Sequence, residues 1–518
     1  MASILDFDVS DLNLSLTKLG LRKTWINLIA THISTDKKLA YVLRCPEFKG
    51  AKILKSDLLE NLSIGEISVI YEYSVASLDS KSRKSDGQFF TPDDVAIFMS
   101  RFSSKFPKGV WLDPCSGIGN LSWHLVNAQD NPENFLINNL VLSDKDELAL
   151  LIARTLLTKS FQSGSKDLFK KISKNFVVFD FLSVSQSNSL TIFGECSDLN
   201  QIPDHDFVIV NPPYLATRSD NRFETAKSGD LYAYFLENII KTSKGFISIT
   251  PQSFTNAGKF KSLRSLLLRN YSNLTVYNFD NIPGNIFHGI KFGSKNSNTA
   301  NSIRSAVTVA LPGKGKQRIT SLFRWKSSER TKLFKSINKY LSTVPLSEQY
   351  FPKVSKPFED LYLSLDLSNN LGTLICKEKT KFPLHVPASP RYFISALKTK
   401  VKRQSQHTIY FEDEHQRNIA YLLINSSLMY WWWRVRDGGM TLSQETLRSL
   451  PVPRFTARQA IVKKLEDSEI RNKVYKQNAG SPQENVKHPK SLVMLVNKVV
   501  IRDYAELLIS THNNSDLV

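Results

Sequence analysis

Val110-Trp-Leu-Asp113-Pro-Cys-Ser-Gly117-Ile-Gly119-Asn120-Leu-Ser-Trp-His-Leu-Val126 is the stretch from which the rest of the chain can be read. A short apolar run meets a glycine-rich turn, and a helical pattern comes after it. Glycines at a strand-to-helix turn let backbone approach a ligand closely at the carboxyl edge of a parallel sheet. Asp113, in front of the turn, sets it apart from a dinucleotide fingerprint: a carboxylate there can hold a cationic amine but repels a pyrophosphate. GxGxxG is not completed, and no Gly-Lys-Ser/Thr is present to make a phosphate loop.

Outward from this turn, further apolar runs recur: Leu140-Val-Leu, Phe176-Val-Val-Phe, Phe207-Val-Ile-Val, Gly245-Phe-Ile-Ser-Ile and Ala306-Val-Thr-Val-Ala. Continuous runs of this length suit strands buried on both faces, with helices between them, so an α/β parallel sheet is expected over 87–312. Residues 1–86 read as a helical region. Leu12–Ile33 carries apolar residues at three- and four-residue spacing, though the pattern is broken. Beyond Pro312-Gly-Lys-Gly-Lys the alternation ends, and 313–518 reads as a separate α+β domain closing with helices over the last 60 residues.

Two more carboxylates close successive runs: Asp144 after Leu140-Val-Leu-Ser, and Asp180 after Phe176-Val-Val-Phe. The first stands where ribose hydroxyls are usually held. Three strand-end carboxylates beside a glycine turn point to a nucleoside-like ligand. The next run ends in Asn211-Pro-Pro-Tyr214. Prolines cannot continue a ladder and they stiffen the backbone, which holds the Asn211 amide and the Pro212 carbonyl in a fixed orientation. Two such acceptors on a planar exocyclic amine localise its lone pair and stabilise the positive charge that develops during attack. An aromatic neighbour, Tyr214, can stack on the ring.

The order of these motifs resembles the gamma class of S-adenosylmethionine-dependent N6-adenine DNA methyltransferases of bacterial restriction–modification systems. There, an FTP-containing segment is succeeded by the glycine turn, the NPPY tetrapeptide and a target-recognition domain. The likeness covers roughly 86–310, and more loosely the C-terminal part of the chain. It implies a Rossmann-like class I methyltransferase sheet. Phe90, Thr91 and Pro92, within Gln88-Phe-Phe-Thr-Pro92, would contribute to the methionine end of the cofactor site. Asp113 would sit near the methionine amine, with Pro114, Gly117 and Gly119 passing close to the cofactor. Asp144 would bind the ribose hydroxyls, and Asp180 the adenine amino group, with Phe181 beside that ring. Asn211, Pro212, Pro213 and Tyr214 would form the target-adenine site, and Phe287 is the best match for the aromatic that sandwiches the flipped base.

Composition narrows the partners. A chain of 518 residues with 41% hydrophobic and 22% charged residues is neither disordered nor a disulfide scaffold. Its four cysteines form no CxxC, so neither a zinc site nor any other metal site is expected. The thiol of Cys115 reads as packing, because the target-base position carries NPPY. The net charge is +20; residues 311–518 hold 34 basic and 18 acidic residues, a net of +16, which points to a polyanion-binding C-terminal part. Arg391, Lys398, Lys400, Lys402 and Arg403 lie where prolines, aromatics and cations interleave, and they are the candidate contacts to double-stranded DNA. Trp431-Trp-Trp433 reads as packing. A cognate restriction endonuclease acting on the same site is a conceivable partner, and a monomer is expected. Without a basic n-region or an 18-residue apolar span, no membrane association is expected, and the expected location is cytoplasmic. RNA adenine or protein glutamine as substrate, or a catalytically silent DNA-binding module, stand as alternatives.

Overall fold

The computed structural model describes residues 4–5, 9–78, 91–183, 202–281, 284–287, 291–292, 295–296, 303–390, 392–437, 441–478 and 481–511. Two compact units divide the chain: Met1–Phe254 with Lys259–Lys316, and Thr255–Gly258 with Gln317–Val518.

Seven strands build the sheet of the first unit: β1 (Trp111–Asp113), β2 (Leu140–Asp144), β3 (Phe176–Val178), β4 (Phe207–Val210), β5 (Gly245–Pro251), β6 (Asn273–Phe279) and β7 (Ser305–Leu311). Their spatial order is β3-β2-β1-β4-β5-β7-β6, parallel from β3 to β5, with β7 antiparallel to both β5 and β6. This is the expected parallel-dominated α/β sheet. Phe207, Val208, Ile209 and Val210 are all at most 1% exposed, which is why the β4 run has no polar face. One strand escapes sequence reading. In β6, Asn273, Thr275 and Asn278 interrupt the apolar residues, yet Asn278 is fully buried.

β1 and β4 are neighbours at the point where strand order reverses, so the glycine turn after one and Asn211 after the other leave the same carboxyl edge. Helices α3 (Asp93–Ser100), α4 (Asn120–Asn127), α5 (Glu147–Phe161), α6 (Leu231–Thr242) and α7 (Lys261–Asn270) accompany the sheet.

The N-terminal helices α1 (Val9–Ser34) and α2 (Ile64–Leu78) share one core with α5: Trp25, Ile29 and Ile70 belong to the same buried cluster as Leu148, Ile152 and Leu156. The broken periodicity of the first helix has a cause. Gly20, at φ 77° and ψ 170°, interrupts α1, so the residues on either side of it do not share one helical phase.

The second unit contains β8 (Arg318–Phe323), the hairpin β9 (Pro383–Pro387) and β10 (Gln406–Tyr410), helices α8 (Glu414–Asn425), α9 (Ser427–Arg436) and α10 (Gln459–Arg471), the hairpin β11 (Lys473–Asn478) and β12 (Ser481–Val486), and α11 (Lys490–Val500). The chain end is therefore not all helical. Pro482 and Pro489 cannot sit inside a helix, and the segment between α10 and α11 pairs as strands instead. Trp431, Trp432 and Trp433 are at most 5% exposed on α9; Trp432 Nε1 donates to Ser449 Oγ at 3.1 Å and Trp433 Nε1 to Thr441 O at 3.0 Å. The triplet is core, with the indole N–H groups of Trp432 and Trp433 satisfied within this unit.

Candidate active site

At the carboxyl edge of β1, the chain turns through Gly117 at φ 52° and Gly119 at φ 86°, conformations that favour glycine. Their roles differ. A Cβ on Gly117 would meet nothing within 4 Å, so its backbone faces open space. A Cβ on Gly119 would come within 3.1 Å of the Ala153 side chain, so this glycine lets α4 pack against α5 and does not line the cavity.

Gly117 N donates to Asp144 Oδ2 at 2.8 Å, and Asp146 N donates to Asp144 Oδ1 at 3.0 Å, which orients the second strand-end carboxylate beneath the turn. Asp113 is 1% exposed and accepts from Ser122 Oγ at 2.8 Å. Burial raises its pKa to about 7, with the nearby Asp144 adding to the effect, and burial also raises that of Asp144. A carboxylate pair held this way favours an incoming cation, which restores the charged form.

A cavity of about 780 Å³ opens beside these groups. Its wall includes Thr91, Asp113, Pro114, Gly117, Asp144, Asp180, Phe181, Asn211 and Pro213. Asp180 Oδ1 accepts from Leu182 N at 3.0 Å, while Phe181 is buried and stacked on Phe235 at 5.3 Å between centroids. Part of the wall has no counterpart in the sequence motifs. Ser68, Tyr71, Glu72 and Val75 of α2 line the cavity, and Tyr71 Oη donates to Asp146 Oδ2 at 2.5 Å. That contact spans 75 residues, and no local pattern announces it. The segment after NPPY, from Thr217 to Phe223, also contributes; Thr217 N donates to Gly229 O at 2.8 Å, and just beyond the segment the buried Glu237 carboxylate accepts from Thr225 N at 2.8 Å.

The Asn211 amide is fixed at both ends. Nδ2 donates to Thr91 Oγ1 at 2.9 Å, and Tyr214 Oη lies 2.6 Å from Asn211 Oδ1 and 2.9 Å from Ile249 O. Thr91 thus orients the amide so that its oxygen points toward Tyr214. The Tyr214 ring stands edge-on to Phe287, with centroids 5.9 Å apart and planes at 69°, and Phe287 is 3% exposed. Cys115 Sγ lies 3.3 Å from Asn211 O, and burial pushes its thiol pKa well up, which suits packing and not nucleophilic attack. Phe90 lies outside the described residues.

Among the candidate DNA contacts in the second unit, Lys398 is already engaged: its Nζ donates to Asn418 Oδ1 at 2.8 Å and Glu466 Oε1 at 2.5 Å. Its ammonium group is thus paired within the second unit. Lys400 and Lys402 are exposed, and Arg403 is half-buried. Arg391 lies outside the described residues. Among the described residues, no group of three or more His, Cys, Asp or Glu side chains is arranged to hold a metal, and no helix is long and apolar enough to cross a membrane.

Residues 63–147 match the family model described as N-6 DNA Methylase, and residues 138–287 match that of the Eco57I restriction-modification methylase. The Type II methyltransferase M.BsuBI of Bacillus subtilis is 27% identical over 206 residues, covering 37% of this chain and 39% of that protein. The chain thus spans about two fifths of the length of that curated relative. Among solved structures, a DrdV–DNA complex is 15% identical, covers 64% of this chain and 40% of that one, and aligns with a TM-score of 0.43. The M protein of the type I restriction enzyme EcoKI is 14% identical, with coverage of 59% and 58% and a TM-score of 0.32. Residues 63–287 are thus similar to two family models, N-6 DNA Methylase over the first part and Eco57I restriction-modification methylase over the second.

Proposed function

We propose that the chain methylates the N6 amine of an adenine flipped out of double-stranded DNA, using S-adenosylmethionine, as a gamma-class enzyme protecting host DNA in a restriction–modification system. The observation that carries this reading is the juxtaposition at one sheet edge. The cavity beside Asp113, Gly117 and Asp144 reaches Asn211, whose amide is held by Thr91 at the end of the adjacent strand.

The cavity suits the cofactor. The exposed backbone at Gly117 leaves room for it, the anionic wall at Asp113 and Asp144 suits a cationic amine and ribose hydroxyls, and the buried Asn120 Oδ1 in the same wall has no hydrogen-bond donor. Bound there, S-adenosylmethionine supplies an electrophilic sulfonium methyl. The chain's own residues do the rest. Asp113 would hold the amine, Asp144 the ribose, and Asp180 and Phe181 the adenine ring. Extruding the target adenine costs a few kcal/mol, offset by stacking on Tyr214 and by basic contacts from the C-terminal part of the chain; Phe287, edge-on to Tyr214 and buried, supports that ring and does not sandwich the base. The target amine takes the place of the Tyr214 hydroxyl on Asn211 Oδ1 and donates its second proton to the Pro212 carbonyl. Its lone pair is then localised toward the cavity, and positioning and these two acceptors carry the catalysis.

Asn211→Ala tests this. Methyl transfer to DNA is expected to fall by roughly 10²–10³-fold, the usual loss for one preorganised acceptor or donor, while cofactor affinity stays the same. Normal turnover by this variant contradicts the mechanism.

A further inference from the structure

Helix α2, outside the motif-bearing sheet, reaches the cavity with one stripe of its surface. Ser68, Tyr71, Glu72 and Val75 line the wall, and their spacing of i, i+3, i+4 and i+7 puts them on a single face. Tyr71 stands at the seam between this face and the buried one. It is 5% exposed, belongs to the core cluster shared by α1, α2 and α5, and meets Trp25 edge-on with ring centroids 5.0 Å apart. Packing of that kind needs only the ring. The hydroxyl leaves the core and donates to Asp146 Oδ2 at 2.5 Å. Burial, together with the Asp146 carboxylate, holds the phenol well above its ordinary pKa, so it stays a donor.

Asp146 passes this contact on. Its Oδ1 accepts from Leu148 N at 2.9 Å and Ala149 N at 3.2 Å, capping α5, and its own backbone N–H donates to Asp144 Oδ1 at 3.0 Å. Asp144 Oδ2 accepts from Gly117 N at 2.8 Å. The carboxylate read as the ribose ligand is therefore held from two sides, by the glycine turn and by a capping residue that α2 pins. With one backbone donor on each oxygen, Asp144 keeps lone pairs for two further donors, which is what a pair of vicinal hydroxyls requires. The cap does not need Tyr71, since Oδ1 performs it. The Oδ2 contact instead fixes the Asp146 side chain, and so the backbone turn that aims its N–H at Asp144.

We infer that Tyr71 is a positioning residue for the cofactor's ribose, so that the N-terminal helical region sets cofactor affinity through Asp146 and Asp144. The inference rests on the reading of the cavity as the S-adenosylmethionine site.

Calorimetric titration of the full-length wild type, Tyr71→Phe and Asp146→Ser with S-adenosylhomocysteine and with its 2′,3′-dideoxy analogue tests it. The wild type is expected to bind S-adenosylhomocysteine at least about tenfold more tightly than the analogue, which lacks both ribose hydroxyls. Tyr71→Phe keeps the ring, and should lose about tenfold in affinity for S-adenosylhomocysteine but less than about twofold for the analogue. Asp146→Ser keeps a capping oxygen and drops the contact with Tyr71, so it should show the same selective loss and serves as a second route should Tyr71→Phe melt at a much lower temperature. An equal loss for both ligands in a folded variant overturns the assignment and leaves Tyr71 a packing residue; no loss for either ligand overturns it as well. If the wild type binds the two ligands equally, the ribose is not held by its hydroxyls and the inference falls while the cofactor reading stands. A wild type that binds neither ligand refutes the cofactor reading itself, and it is recognised before any variant is compared.

Discussion

At the scale of single residues, the proposed chemistry depends most on Asp113 and Asn211. Asp113 has an ordinary carboxyl pKa when unfolded and one of about 7 when folded. Between about pH 4 and 7 the folded state therefore holds a proton that the unfolded state has released, so stability contributed at this residue declines as pH rises through that window and levels off above 7. A bound ammonium favours the ionised form. Cofactor affinity is accordingly expected to strengthen as pH rises through about 7, with proton release on binding, and Asp113→Asn should flatten that profile. Calorimetric titration in two buffers of different ionisation enthalpy measures both effects; a pH-independent wild type contradicts the role. At Tyr214, the ring and the hydroxyl make separable predictions. Tyr214→Phe keeps the stacking face and should retain activity within about tenfold, whereas Tyr214→Ala forfeits roughly 1–3 kcal/mol of stacking and should lose about 10–100-fold in transfer to DNA. Steady-state transfer assays with both variants check this, and equal losses would mean that the hydroxyl, not the ring, matters.

Elements carry the positioning. In the turn between β1 and α4, one glycine is open to the cavity and the other is pressed against Ala153. Gly119→Ala places a side chain at φ 86° and is expected to cost about 1–2 kcal/mol in denaturant unfolding before any effect on catalysis. The strand runs and the glycine turn are legible in sequence because a doubly buried strand has no polar face to blur the pattern. β6 is not, since its buried polar residues, Asn278 among them, break the apolar run. The hairpin of β11 and β12 falls within the last 60 residues, where helices are expected from sequence, although Pro482 argues against one. The wall supplied by α2 depends on Tyr71 meeting Asp146 across the fold, a contact that no spacing rule encodes. Likewise, Lys398 looks like its neighbours in a basic stretch, and only its burial against Glu466 and Asn418 separates it from the exposed Lys400 and Lys402.

Across the whole molecule, charge is divided unequally, with a net of +16 on residues 311–518 out of +20 in total. If that excess serves DNA, the logarithm of affinity should fall linearly with the logarithm of salt concentration, and removing Lys400 or Lys402 should reduce the slope by about 0.9 each, whereas Lys398→Ala should leave the slope unchanged and destabilise the second unit. Filter binding over a salt series decides between these. The most direct test of the central claim is to incubate the wild-type chain with S-adenosylmethionine and unmethylated bacterial DNA and to map modified bases by single-molecule sequencing. The account predicts N6-methyladenine confined to one short sequence motif; cofactor binding with no modified adenine in the DNA would contradict it.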